Sequence, residues 1–175
     1  MLTQLATAQT LDPTFAPPAS LYAPGAVYSM AAQQTDGKRV VSGFFSRINN
    51  VAVGSLARLD ATGVLDASFA QNVGVARNTA RVRILPSGQY LVSSFSGDAL
   101  MAGGLTRTAL LRLNTSGLAD ASFNVGTGPA STGATGVQIN TFVGQPDGKV
   151  LVGGSFDSFV AATRRGWCAS RLMAP

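Results

Sequence analysis

The chain has 175 residues, enough to bury a core without metals or cross-links. Charged residues are only 12%, His and Glu are absent and Cys168 is the single cysteine, which excludes an intrachain disulfide, a thiolate metal centre and His-based acid–base or nucleophilic chemistry. The net charge of +5 rests on 13 Lys and Arg against 8 Asp, and no run of 18 apolar residues offers a membrane-spanning helix.

Taken in chain order, residues 1–10 read as a tail. Leu5-Ala6-Thr7-Ala8-Gln9 has the small-x-small pattern of a signal-peptidase site, while the charged and long apolar regions that normally precede one are missing. The expectation is the remnant of a trimmed or misassigned export signal, and with it a secreted or cell-surface location.

Beyond the tail the chain repeats itself. Asp12-Pro-Thr-Phe15, Asp66-Ala-Ser-Phe69 and Asp120-Ala-Ser-Phe123 share the form D-x-[ST]-F and recur every 54 residues. The units are residues 11–65, 66–119 and 120–175. Within each, a turn carries Gly37, Gly88 or Gly148 between apolar runs, the pattern of a tight hairpin, because glycine accepts the positive φ such a turn needs. The run before the second turn alternates, Arg81-Val82-Arg83-Ile84, and the run after the third is β-branched and apolar, Val150-Leu151-Val152, as in a buried central strand. Each hairpin ends near a Phe: Phe45, Phe95 and Phe156. Ala57-Arg58-Leu59, Leu111-Arg112-Leu113 and Ser170-Arg171-Leu172 close the units.

A feature present in every copy holds the copy together more readily than it performs chemistry once. On that logic Asp12, Phe15, Asp66, Phe69, Asp120, Phe123, Arg58, Arg112 and Arg171 are structural, the Phe as apolar anchor of a tight corner. Arg58 is expected to pair with Asp66 and Arg112 with Asp120, since a guanidinium suits a half-buried carboxylate.

The repeat resembles the delta-60 repeat family of bacterial proteins, whose unit has the form L-D-x-[ST]-F…Q-P-D-G-K-[IV]-L-V-G-G-x-F…R-L-N-x-x-G. The match is fullest at Gln145-Pro-Asp-Gly-Lys-Val-Leu-Val-Gly-Gly-Ser-Phe156 and weakest at Pro86-Ser87-Gly88-Gln89, which lacks both Asp and Lys. The resemblance implies β-propeller-like blades in large exported proteins of unknown activity. Independently of it, a unit of about 54 residues with about four short strands and no helix is an all-β propeller-type blade. Three blades make half a ring or part of a larger propeller, so the expected partners are a second copy of the chain or further blades of the same protein, joined through open edges into a ring or a filament.

Function then falls to what differs between copies, mainly the connecting loops. Trp167 beside Arg164 and Arg165 could stack on a sugar or an aromatic ligand, or pack at the start of the last strand. Tyr22 and Tyr28, among prolines, form a second candidate. No cofactor is implied and no metal site, since each Asp-Gly turn offers one carboxylate where calcium gathers several. The arginines are not interleaved with aromatics, which argues against nucleic acid. Three readings follow: a secreted or surface scaffold that assembles through its blade edges, a binder of a glycan or another surface protein through its loops, and, distantly, a hydrolase or lyase acting through Asp and Arg.

Overall fold

A computed structural model of the chain describes residues 25–32, 36–48, 50–132, 136–146, 148–160 and 167–171, the last segment as backbone only. Asp12, Phe15, Tyr22, Arg164 and Arg165 lie outside the described residues.

The first unit contributes β1 (Ala26–Ala32), β2 (Arg39–Phe44), β3 (Arg47–Ile48), β4 (Val51–Ala52) and β5 (Leu56–Leu59). The strands β1, β2 and β5 form an antiparallel sheet with β2 in the centre, while β3 and β4 make a separate small hairpin. A short helix, α1 (Ala67–Val73), follows. The second unit repeats the plan with β6 (Arg81–Ile84), β7 (Tyr90–Ser93) and β10 (Leu110–Leu113) around a central β7, and a hairpin of β8 (Ala99–Ala102) and β9 (Leu105–Thr108). The third contributes β11 (Gly128–Ala130), β12 (Gln138–Gly144), β13 (Val150–Ser155), β14 (Ser158–Val160) and β15 (Trp167–Arg171). Gly37, Gly88 and Gly148 sit in the hairpin turns at φ of 68°, 80° and 81°, which a residue with a Cβ adopts only at a cost.

Three features depart from the sequence expectation. Each of the first two units has five strands rather than four, because the connection from the central to the last strand folds back on itself as a hairpin outside the main sheet. The D-x-[ST]-F corner is not always a plain turn: the Asp66 side chain accepts from the Phe69 N–H at 3.1 Å and caps α1, which ends at Gly74 with φ of 67°. Ala70 and Gln71 continue that helix, whereas Asn124-Val125-Gly126 after Phe123 does not, with Gly126 at φ of 65°. In the third unit β15 runs parallel to β13, where β5 and β10 run antiparallel to β2 and β7. Between β13 and β15 the strand β14 pairs with β11, so among the described residues no hairpin reverses the chain there.

The sheets stack face to face. Val40 and Leu56 of the first meet Val82, Tyr90, Val92 and Leu111 of the second, with Phe69 and Val73 between them. Leu91 and Leu110, on the opposite side of the second sheet, meet Phe142, Val150 and Val152 of the third. Every junction therefore joins two different faces, and strand periodicity of two keeps them distinct in each copy. Neighbouring first strands also touch through polar groups: Ser29 Oγ donates to Val82 O at 3.3 Å and Arg81 to Ile139 O at 2.9 Å. Successive short-stranded, largely antiparallel sheets stacked in this manner, and not closed into a ring, form part of a β-propeller.

Candidate functional site

Two kinds of polar construction stand out, one repeated and one unique. The repeated one sits on the outer strands. Arg58 reaches Asp66 Oδ2 through Nε at 3.0 Å and through its terminal nitrogen at 2.9 Å, and its guanidinium lies 4.4 Å over the Phe69 ring. Arg112 does the same with Asp120, at 2.9 and 2.7 Å, over Phe123 at 4.8 Å. Arg58 goes further, donating to Tyr90 Oη at 3.1 Å and to Thr115 O at 2.6 Å, so it ties the first blade to the second. Partial burial by itself would raise both carboxyls. The hydroxyl of Ser68, the Phe69 N–H and Arg58 outweigh it at Asp66, and Ser122 and Arg112 outweigh it at Asp120, so both pKa values lie below the ordinary carboxylate value.

A consequence for stability follows from that direction. A carboxyl with a depressed folded-state pKa binds fewer protons folded than unfolded, so its contribution is complete above the unfolded value near 4 and is lost as pH falls through the folded one. The melting temperature, followed from neutral pH downward, is expected to fall below about pH 4. The fall should be shallower in Asp66→Asn, which starts less stable but has less to lose.

The unique construction lies at one end of the blades, across the junction of the first and second. At the seventh position after the turn glycine the three central strands carry Phe44, Phe95 and Ser155, and one position earlier Gly43, Ser94 and Gly154. Gly43 and Gly154 are required where they stand: a Cβ on either would lie 2.0 Å from Ala26 O or 1.9 Å from Gln138 O, because the first strand of the blade passes close through a bulge. In the second blade Ser94 occupies that position. The corresponding first strand, β6, pairs only up to Ser93, four residues against seven in β1 and β12. Asn78, at φ of 60°, turns the chain aside.

What the strand does not fill becomes a depression of about 250 Å³, with Ser94 and Thr79 in its lining and Tyr28, Phe44 and Phe95 as its apolar walls. The Tyr28 and Phe95 rings meet edge to face at 4.9 Å, and Phe44 is 62% exposed. Thr79 is held by Ser55, whose Oγ accepts from the Thr79 N–H at 3.0 Å. Asp98 stands at the rim and, among the described residues, pairs with no cation. Ser94 Oγ is buried and has no hydrogen-bond partner. A second depression, shared through Phe95 and Ser96, continues across to the third blade past Arg81, whose guanidinium lies 5.3 Å over the Phe95 ring.

Comparison with protein families bears on the repeated construction. The family described as Domain of unknown function (DUF5122) beta-propeller matches residues 34–69, 83–123 and 145–172, more than half of the chain. The chain belongs to this family. Each DUF5122 match spans the hairpin turn and the central strand, and the first two end on the corner residues Phe69 and Phe123. Asn78 and Thr79, which edge the depression, fall between DUF5122 matches. No curated protein and no solved structure matches the chain.

Of the residues singled out from sequence, Tyr28 is brought into the depression. Trp167 opens β15 opposite Val150, and Arg171 ends it opposite Gly154. Sequence reading did not find Phe44, Ser94, Phe95 or Asp98 as site residues. It grouped Phe95 with Phe45 and Phe156, but counting from the turn glycine places Phe95 level with Phe44, one residue out of step. A single-residue shift along a strand reverses the face: Phe45 and Phe156 are buried, while Phe44 and Phe95 are exposed. Asp60 and Asn114 were also passed over. Each side chain accepts from two backbone N–H groups of its own loop, Thr62 and Val64 for Asp60, Ser116 and Leu118 for Asn114, which makes them loop closures of the repeat.

Among the described residues no group of acidic or Cys side chains could hold a metal ion, and no helix is long and apolar enough to cross a membrane.

Proposed function

We propose that the chain is a non-enzymatic interaction and structural module of the delta-60 type, exported to the cell surface or beyond, which joins blade to blade through two faces that are unpartnered among the described residues. The observation that carries this reading is a difference between equivalent positions. Met30, Val82 and Phe142 occupy the same register position opposite Val41, Val92 and Val152. Val82 and Phe142 are buried against the preceding blade, while Met30 is 58% exposed. On the opposite side of the stack Val40 and Leu91 are buried against the next blade, whereas Leu151 is half-buried and its neighbour Val143 is 54% exposed.

The two open faces are of the two kinds that meet at each internal junction. A second copy of the chain can thus offer the face that Leu151 and Val143 present to the one that carries Met30, a head-to-tail contact that closes a ring or grows a filament. The non-enzymatic part is supported by the inventory: no His, no Glu and one Cys. Export is supported by the Leu5–Gln9 pattern.

Solution mass measured across a range of protein concentrations tests the assembly. Mass should rise with concentration, and Leu151→Asp or Met30→Asp should each weaken association at least tenfold, because a carboxylate would be buried without a partner. A folded wild-type chain that stays monomeric at every concentration overturns the reading.

A further inference from the structure

The depression between the first and second blades has an occupant that its chemistry selects, independently of whether the chain assembles. We infer that it binds a neutral saccharide chain, with one sugar ring in the depression and the following rings along the second depression toward the third blade. Three observations carry this.

The first is the origin of the space. Where the other two blades carry Gly43 and Gly154 and a first strand of seven residues, the second blade carries Ser94 and a first strand of four. The gap thus coincides with a side chain placed where the repeat elsewhere has none. The second is Ser94 itself. Its hydroxyl is buried without a partner, an uncommon state because the desolvation of the group goes uncompensated. Rotation about its Cα–Cβ bond lets a ligand hydroxyl on the floor supply the missing hydrogen bond.

The third is the mixture of walls. Phe44, 62% exposed, offers a negative π face to the weakly positive C–H groups of a sugar ring, and the Tyr28–Phe95 pair, edge to face with Arg81 over Phe95, adds apolar wall beside it. Asn78, Thr79 and Asp98 provide amide, hydroxyl and carboxylate groups that bind hydroxyls. The charges set the class. Asp98 disfavours an acidic sugar, and Arg81, stacked on Phe95, disfavours an alkylammonium ligand that three aromatic rings and a carboxylate would otherwise suit. The neighbouring depression, reached through Phe95 and Ser96, adds about 660 Å³, room for more than a single ring.

Calorimetric titration of the full chain with cellohexaose, xylohexaose, mannohexaose and maltohexaose, each by itself, provides the test. At least one should bind with a Kd below about 1 mM. Phe44→Ala and Asp98→Asn, both on exposed side chains, should weaken that binding about tenfold or more with the melting temperature unchanged. Ser94→Ala should abolish it without lowering the melting temperature, since it removes only a hydroxyl that has no hydrogen-bond partner in the fold. Failure of all four sugars to bind overturns the inference. So does wild-type affinity in the three variants, and so does tighter binding of choline or of an oligogalacturonate than of any neutral sugar. The Leu151→Asp variant should bind as the wild type does, which separates this site from assembly.

Discussion

Arg58→Ala is expected to lower the unfolding free energy by about 3 kcal/mol, measured by urea denaturation with the slope checked for two-state behaviour. The side chain is nearly inaccessible, and four groups depend on it: the Asp66 carboxylate at 2.9 Å, Tyr90 Oη, Thr115 O and the Phe69 ring. Breaking a buried ion pair typically costs about 3–5 kcal/mol, because the surviving charge stays in a poorly solvated place. The lower end applies here because Lys38 also approaches Asp66, at 3.6 Å, and retains part of the compensation. Arg112→Ala provides the comparison. Its side chain is more exposed, 21% against 8%, and among the described residues its partners are Asp120 and the Phe123 ring, so the loss should be about 1.5 kcal/mol. Equal losses in the two variants would mean that the contacts of Arg58 across the junction to Tyr90 and Thr115 contribute nothing.

Gly54→Ala should be comparably damaging although it adds only one methyl group. Gly54 has φ of 65° and bridges to Ala76 in the connection between the first two blades. An added Cβ would lie 1.9 Å from Ala76 O and 2.6 Å from Ala76 N, both backbone atoms that cannot swing away as a flexible side chain could. Left-handed strain of about 1 kcal/mol adds to overpacking of about 1–3 kcal/mol, for a loss of about 3 kcal/mol in total. Gly104→Ala isolates the first contribution. Its φ is 81° and no atom lies within 4 Å of the added methyl, so only the strain, about 1 kcal/mol, should appear in its melting curve.

The fold was more legible than the site because repetition exposes structural residues and hides functional ones. Three copies of D-x-[ST]-F at one spacing identified the corner, and chemical complementarity was enough to argue for Arg58 beside Asp66. The site has the opposite character. Ser94 is informative only as an exception to Gly43 and Gly154, and that exception appears once the strands are aligned from the turn glycine instead of by their nearest Phe. Aligned by Phe, Phe95 looked like one more anchor. The hairpins outside the main sheets and the helix after Asp66 were likewise hidden, since two-residue strands such as Arg47–Ile48 and a seven-residue helix are too short to show a period.

By itself the sequence determined the local structure of this protein: the glycine turns, the apolar central strands, the three-unit division and the absence of His and Glu. These depend on φ preference, alternation and composition, which act within a few residues. Only the tertiary structure decided which face of each sheet meets the next blade and which faces stay open. It also decided that, beside the serine that stands in place of a glycine, the neighbouring strand is short and a depression lined by Tyr28, Phe44 and Phe95 opens. Those residues are far apart in the chain, and the stacking of two blades brings them together.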